Sequence, residues 1–112
     1  MIPDSVVYTL TIASGAATTG ALSLPAGFFP AAVILPTIDT STAINFQVSM
    51  DNVTYYPLHD GSGSAYSVTI DNSAANAISL DPTKFYPWEY IKITVADNQS
   101  ADKSVKVVVR NY

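Results

Sequence analysis

At 112 residues the chain has room for one domain with one core, and with only 12% charged residues it carries about half the charge of an ordinary soluble domain. It has no cysteine, which excludes a disulfide framework and a thiolate metal site, and a net charge of −4 excludes the dominant basic face that a general grip on nucleic acid needs. The start, Met1-Ile2-Pro3-Asp4-Ser5, has neither a basic segment nor an apolar one, so no signal peptide is expected; the longest apolar run, residues 31–36, is too short to span a bilayer.

Residues 6–12 alternate Val6, Tyr8, Leu10 and Ile12 against Val7, Thr9 and Thr11, the period of an extended strand. A loop of small residues, 13–20, has no helical period. Leu22 and Leu24 mark a short strand stopped by Pro25-Ala26-Gly27. After Phe28-Phe29-Pro30, residues 31–35 form a third strand closed by Pro36.

Residues 43–58 carry the clearest signal. Ile44, Phe46, Val48 and Met50 alternate with Asn45, Gln47 and Ser49, so opposite polarities leave opposite faces. Asp51-Asn52 tolerates the positive φ of a tight turn, and 54–58 returns as the partner strand of a hairpin. Pro57 places that strand at an edge or a bulge. Further strands are expected at 66–70, 77–80, 91–95 and 105–109, with one helical turn at 81–85, where Asp81 caps and Pro82 follows. Eight or nine short strands at even spacing predict an all-β fold, a single antiparallel β-sandwich over 1–112, jelly-roll-like because closing two sheets protects edges that little charge guards.

The charge is uneven. All five basic residues (Lys84, Lys92, Lys103, Lys106, Arg110) fall in the last 29 positions, while the first 83 hold six aspartates and no cation. Lys103, Lys106 and Arg110 are candidates to meet an acidic partner, set against the simpler reading that they neutralise aspartates of their own fold. Phe28, Phe29, Tyr55, Tyr56 and Trp88 are the other candidate interface residues, amphipathic or exposed rings suited to protein contacts or to stacking on sugars. One of Phe28 and Phe29 is expected to stay exposed, since neighbours on a strand point opposite ways; the alternative is a loop that folds both rings under.

Catalysis is poorly supplied. His59 is the sole histidine, with only Asp60 beside it and no nucleophile in an arrangement with both. Ser62, in Gly-Ser-Gly, lacks the strand-to-helix elbow of a hydrolase nucleophile. Asp51, Asp60 and Asp71 sit at strand ends but without calcium-loop spacing, and turn formation accounts for them. No catalytic residue, cofactor or metal ligand is assigned.

Several short motifs occur in a suggestive order. Phe46-Gln47-Val48-Ser49, Asp51, Thr54-Tyr55, Pro57-Leu58, Asp60-Gly61, then Leu80-Asp81-Pro82, Phe85, Trp88 and Tyr90-Ile91-Lys92-Ile93, preceded by Leu24-Pro25-Ala26-Gly27-Phe28, resemble a recurrent small protein of tailed-bacteriophage structural gene clusters. The resemblance covers about residues 22–95; Asn52 stands where relatives usually have Gly, and the loop before the last strand is shorter. It implies a non-enzymatic virion component, a capsid decoration or cement protein that binds the major capsid protein or other virion proteins, made in the bacterial host cytoplasm and carried on the virion. A symmetric homo-oligomer, a trimer by preference, would fit a capsid three-fold. The pattern is also similar to discoidin-type jelly rolls, which makes a carbohydrate-binding module with a glycan ligand the alternative; neither nucleic acid nor membrane is an expected partner.

Overall fold

The computed structural model describes residues 5–59, 61 and 63–111. Nine strands occur in chain order: β1 Ser5–Ile12, β2 Leu22–Ser23, β3 Phe28–Leu35, β4 Ala43–Ser49, β5 Tyr56–Pro57, β6 Ser67–Thr69, β7 Asn76–Ser79, β8 Tyr90–Val95 and β9 Lys103–Asn111, with a 3-10 turn at Pro82–Phe85. Sheet A runs β1-β9-β3-β7; sheet B runs β2-β8-β4-β5, with β6 also beside β4. All pairings are antiparallel; a nested set joins first strand with last, β2 with β8, β3 with β7, and β4 with β5 and β6, while β3 with β9 and β4 with β8 complete the sheets. That nesting is a long hairpin rolled into two sheets, the jelly roll expected from the sequence.

Alternation fills the space between the sheets. Val33, Leu35, Val105, Val107 and Val109 face inward from sheet A, and Ile44, Phe46, Val48, Ile91 and Ile93 meet them from sheet B, all essentially inaccessible. The 3-10 turn inserts Phe85, whose ring stands edge-on to Phe46 at 5.0 Å and to Tyr66 at 5.9 Å. Asp81 caps this turn as its sequence predicts, accepting the Thr83 amide at 3.0 Å, with Pro82 at the start.

Two local expectations need correction. The 43–58 hairpin exists, but its return strand is only Tyr56–Pro57 and its loop spans 50–55. The Asp51 carboxylate accepts the amides of Val53 and Thr54, and Ser49 Oγ accepts those of Asp51 and Asn52. These bonds satisfy a wider turn and draw Ser49 under it, so Ser49 is buried and Met50 is 49% exposed, against the strand alternation. Asn52 does take positive φ, and Pro57 does lie on an edge strand. Secondly, β3 begins at Phe28, three positions earlier than residue 31, because a register shift between Pro30 and Ala32 accommodates a proline in a central strand.

The small-residue loop before β2 is a loop, as its sequence reads, and it is laid along β8. Thr19 is buried; its amide donates to the Ile93 carbonyl at 2.9 Å and its Oγ1 accepts from the Ile93 amide at 3.0 Å. Ala17 O accepts the Val95 amide at 2.8 Å. Small side chains permit this close approach, and the loop covers an edge that the two-residue β2 leaves open.

Candidate functional site: two unlike outer faces

The register settles what each sheet shows to the outside. Across sheet A one row reads Val7, Val108, Ala32, Ser79; the next reads Thr9, Lys106, Ile34, Ala77; a third begins Ser5, Arg110, Phe29. Val7 is 56% exposed and Ile34 41% exposed, although both are aliphatic. The four strands of sheet A contain Lys103, Lys106 and Arg110 and no acid. The outward surface therefore carries an apolar row, Val7, Val108 and Ala32, with Ile34 beside it, among hydroxyl side chains and the positive charge of Lys106 and Arg110. Phe29 packs on Tyr86 with ring centroids 4.2 Å apart, and the buried Arg110 Nε has no hydrogen-bond partner among the described residues.

Sheet B is different. Its outward rows are Ser67, Asn45, Thr94 and Pro57, Gln47, Lys92. Ser67 Oγ donates to Asn45 Oδ1 at 2.9 Å, and the Thr18 and Thr94 hydroxyls lie 3.0 Å apart. Lys92 Nζ stands 4.2 Å over the Tyr55 ring, a cation–π contact, while the Tyr55 hydroxyl donates to Asn52 Oδ1. Burial pushes the Tyr55 phenol up, with Tyr90 and Asp51 adding to the effect.

The candidates named from sequence thus do not form one site. Lys106, Arg110 and Phe29 share the outer face of sheet A, and Tyr55 lies on the outer face of sheet B. Lys103 is in neither group; it is mostly buried and pairs with Asp39 at 3.7 Å, which fits the neutralising reading. Phe28 and Trp88 are half-buried against the core and line a shallow cleft of about 220 Å³ together with Leu24, Pro25, Phe29 and Glu89. Both Phe28 and Phe29 are half-buried, so neither a free anchor nor a fully folded-under pair is observed. Tyr56 is largely exposed.

Three aspartates are engaged in turns. Hydrogen bonds from Ser73 hold the Asp71 carboxyl below its ordinary range, those from Thr83 do the same for Asp81, and the Val53 and Thr54 amides for Asp51. Among the described residues no three His, Cys, Asp or Glu gather as a metal site would require. His59 is exposed, and Asp60 and Ser62 lie outside the described residues. Sequence reasoning missed Ile34, Val108 and Tyr86; the first two carried a signal, an apolar residue at an outward position of an alternating strand.

No family model matches the sequence, and no curated protein is similar to it in sequence. The fold is shared. The SPBc2 prophage-derived protein YomS superposes with a TM-score of 0.61 at 17% identity, covering 99% of this chain and 96% of that one. A chain of the cyanophage Pam1 capsid asymmetric unit aligns over 98% of this chain and 84% of its own, at 21% identity and a TM-score of 0.43. The CBM32-1 module from a family 31 glycoside hydrolase of Clostridium perfringens covers 93% of this chain and 76% of its own, at 10% identity and a TM-score of 0.42. The latter two superpositions are too loose to bear on function, and the first speaks to fold: this chain is similar, end to end, to a prophage-encoded β-sandwich.

Proposed function

We propose that the chain is a non-enzymatic structural protein of a bacteriophage particle, a capsid decoration protein that binds the outer surface of the major capsid shell and self-associates there. One observation carries the reading: the outer face of sheet A exposes Val7 and Ile34, with half-buried Ala32 and Val108 between them and Lys106 and Arg110 beside them, and has no acid on its strands. Contiguous apolar surface edged with one sign of charge is what a protein-binding face offers, and a capsid repeats its partner patch many times, so a modest contact becomes tight when several are engaged. The whole-length fold similarity to a prophage-derived protein supports a phage setting, with synthesis in the bacterial host and residence on the virion.

The test is occupancy. Purified chain added to capsids that lack it should bind at a fixed number per lattice position, and Ile34→Glu should reduce occupancy while leaving the melting temperature nearly unchanged. The carbohydrate reading expects glycan binding by the isolated chain, lost in Tyr55→Ala or Trp88→Ala, with no regular capsid occupancy. That result would sink the decoration proposal. The Tyr55 ring already has Lys92 over it, which leaves less of it free to stack on a sugar.

A further inference from the structure

A β-sandwich of this kind has open edges, and here they are not treated alike. β2 and β5 have two residues each, and β5 includes Pro57. β7 has four residues, with the Asn76 side chain folded back onto the Asp71 and Ala74 carbonyls. Each is short or obstructed, the usual protection against pairing with another chain. β1 has eight residues, Ser5–Ile12, with no charge, no proline and no register shift against β9. Among the described residues its far side is met only at Ile12, by a bridge to Thr19.

The inner flank of β1 is open as well. Val6 points inward, opposite Val109, yet is 38% exposed where Val109 is 0% exposed. Tyr8, opposite the buried Val107, is half-buried. The cause is the shortness of β2, which leaves little of sheet B to cover this side.

We propose that β1 pairs antiparallel with β1 of a second copy of this chain, across a two-fold axis at Tyr8. Parity favours self-pairing. Directly opposed residues of an antiparallel pair share a face, so the axis must pass through a residue; an axis between residues would oppose inward to outward side chains. An axis at Thr9 would bring Val6 of the copy against Ile12, where Thr19 already sits. An axis at Tyr8 overlaps residues 5–11, setting inward Val6 against Leu10 of the copy, Tyr8 against Tyr8, and outward Val7 against Thr9. Each exposed inward side chain is then covered by an apolar one from the same strand.

Charge does not oppose this contact. The cations of β9 are separated from those of the copy by three strand spacings, about 14 Å, well beyond a Debye length of about 8 Å in physiological salt. Two sheets of four strands become one of eight. Pairing on one edge closes after two copies and yields a dimer, where the capsid three-fold alone suggested a trimer.

Sedimentation of the isolated chain, without capsids, tests the pairing separately from the decoration role. A concentration-dependent dimer is expected, and Val7→Lys, at an exposed outward position, should weaken it about tenfold or more without changing the fold. Register is read by disulfide trapping, since the chain has no cysteine of its own. Opposed Cα atoms at about 4.5–5.5 Å suit a disulfide, so a mixture of Val7→Cys and Thr9→Cys chains should oxidise to a covalent heterodimer, and Ile34→Cys should not cross-link. A monomer or trimer in sedimentation, or efficient cross-linking through Ile34→Cys, overturns the proposal; a monomer that still decorates capsids would leave the functional reading standing and this one refuted.

Discussion

The two outer faces are built by one rule and came out differently. On both sheets every second residue points away from the core, and the inward residues are aliphatic or aromatic on both. Outward, sheet B presents the polar side chains of Asn45, Gln47, Ser67 and Thr94, with Ser67 donating to Asn45 and Thr94 paired with Thr18. Sheet A presents Val7, Ile34, Ala32 and Val108 in the same positions of the pleat. Core packing constrains inward residues and leaves outward ones free to differ. On the proposed function, the apolar row of sheet A is the face that meets a partner.

The comparison rests on strand phase, and the largest expected effect tests that. Phe46→Ala removes a fully buried ring stacked on Tyr66 and edge-on to Phe85 and should cost about 3–5 kcal/mol in urea unfolding, whereas Gln47→Ala, one residue on and on the outer face of sheet B, should stay within about 0.5 kcal/mol. Equal losses would mean that inside and outside are misassigned. Next comes Gln99, buried between the faces at one end, where its side chain accepts the Asp39 amide at 2.7 Å and donates to the Asp97 carbonyl at 2.9 Å. Gln99→Ala leaves both partners unpaired and should cost about 1–3 kcal/mol; no loss would show that water replaces the side chain.

Smaller effects sharpen the contrast. Ile34→Lys and Gln47→Lys, matched substitutions on sheets A and B, should both leave stability within about 0.5 kcal/mol, while only the first lowers capsid occupancy. If both lower it equally, the faces are not functionally distinct. The least effect is expected from pH. The carboxyls of Asp39, Asp51, Asp71 and Asp81 are held below their ordinary range, chiefly by hydrogen bonds from neighbouring residues. A depressed folded-state value stabilises the fold above the unfolded pKa of about 3.9 and loses that contribution as pH falls through the folded value. The melting temperature should hold near neutrality and fall only below about pH 4, with a shallower acid limb in Asp81→Asn.

Much of this molecule was legible before any coordinate. Alternation at 6–12, 43–49, 91–95 and 105–109 located four strands, because a two-residue period needs only the chain's own geometry. Asp81-Pro82 located the 3-10 turn, and Asn52 the positive φ, since capping and turn chemistry act within a few residues. The sandwich followed from strand number and spacing.

What the sequence could not decide depended on residues far apart in it. Met50 continues the alternation of β4, yet Ser49 is buried in its place because the following loop folds over it. Residues 13–20 read as a loop of small residues, and in the fold they complete the side of β8, some seventy-five positions later in the chain. Gln99 reads as part of a polar turn and is buried because Asp39, sixty positions earlier, is carried against it. Likewise, Lys92 and Lys106 look like members of one basic terminal segment, and the nested pairing sends them to opposite outer faces. Local patterning determined which residues extend and which turn; only the register between distant strands, set by burying both apolar faces in one core, decided which outward side chains became neighbours.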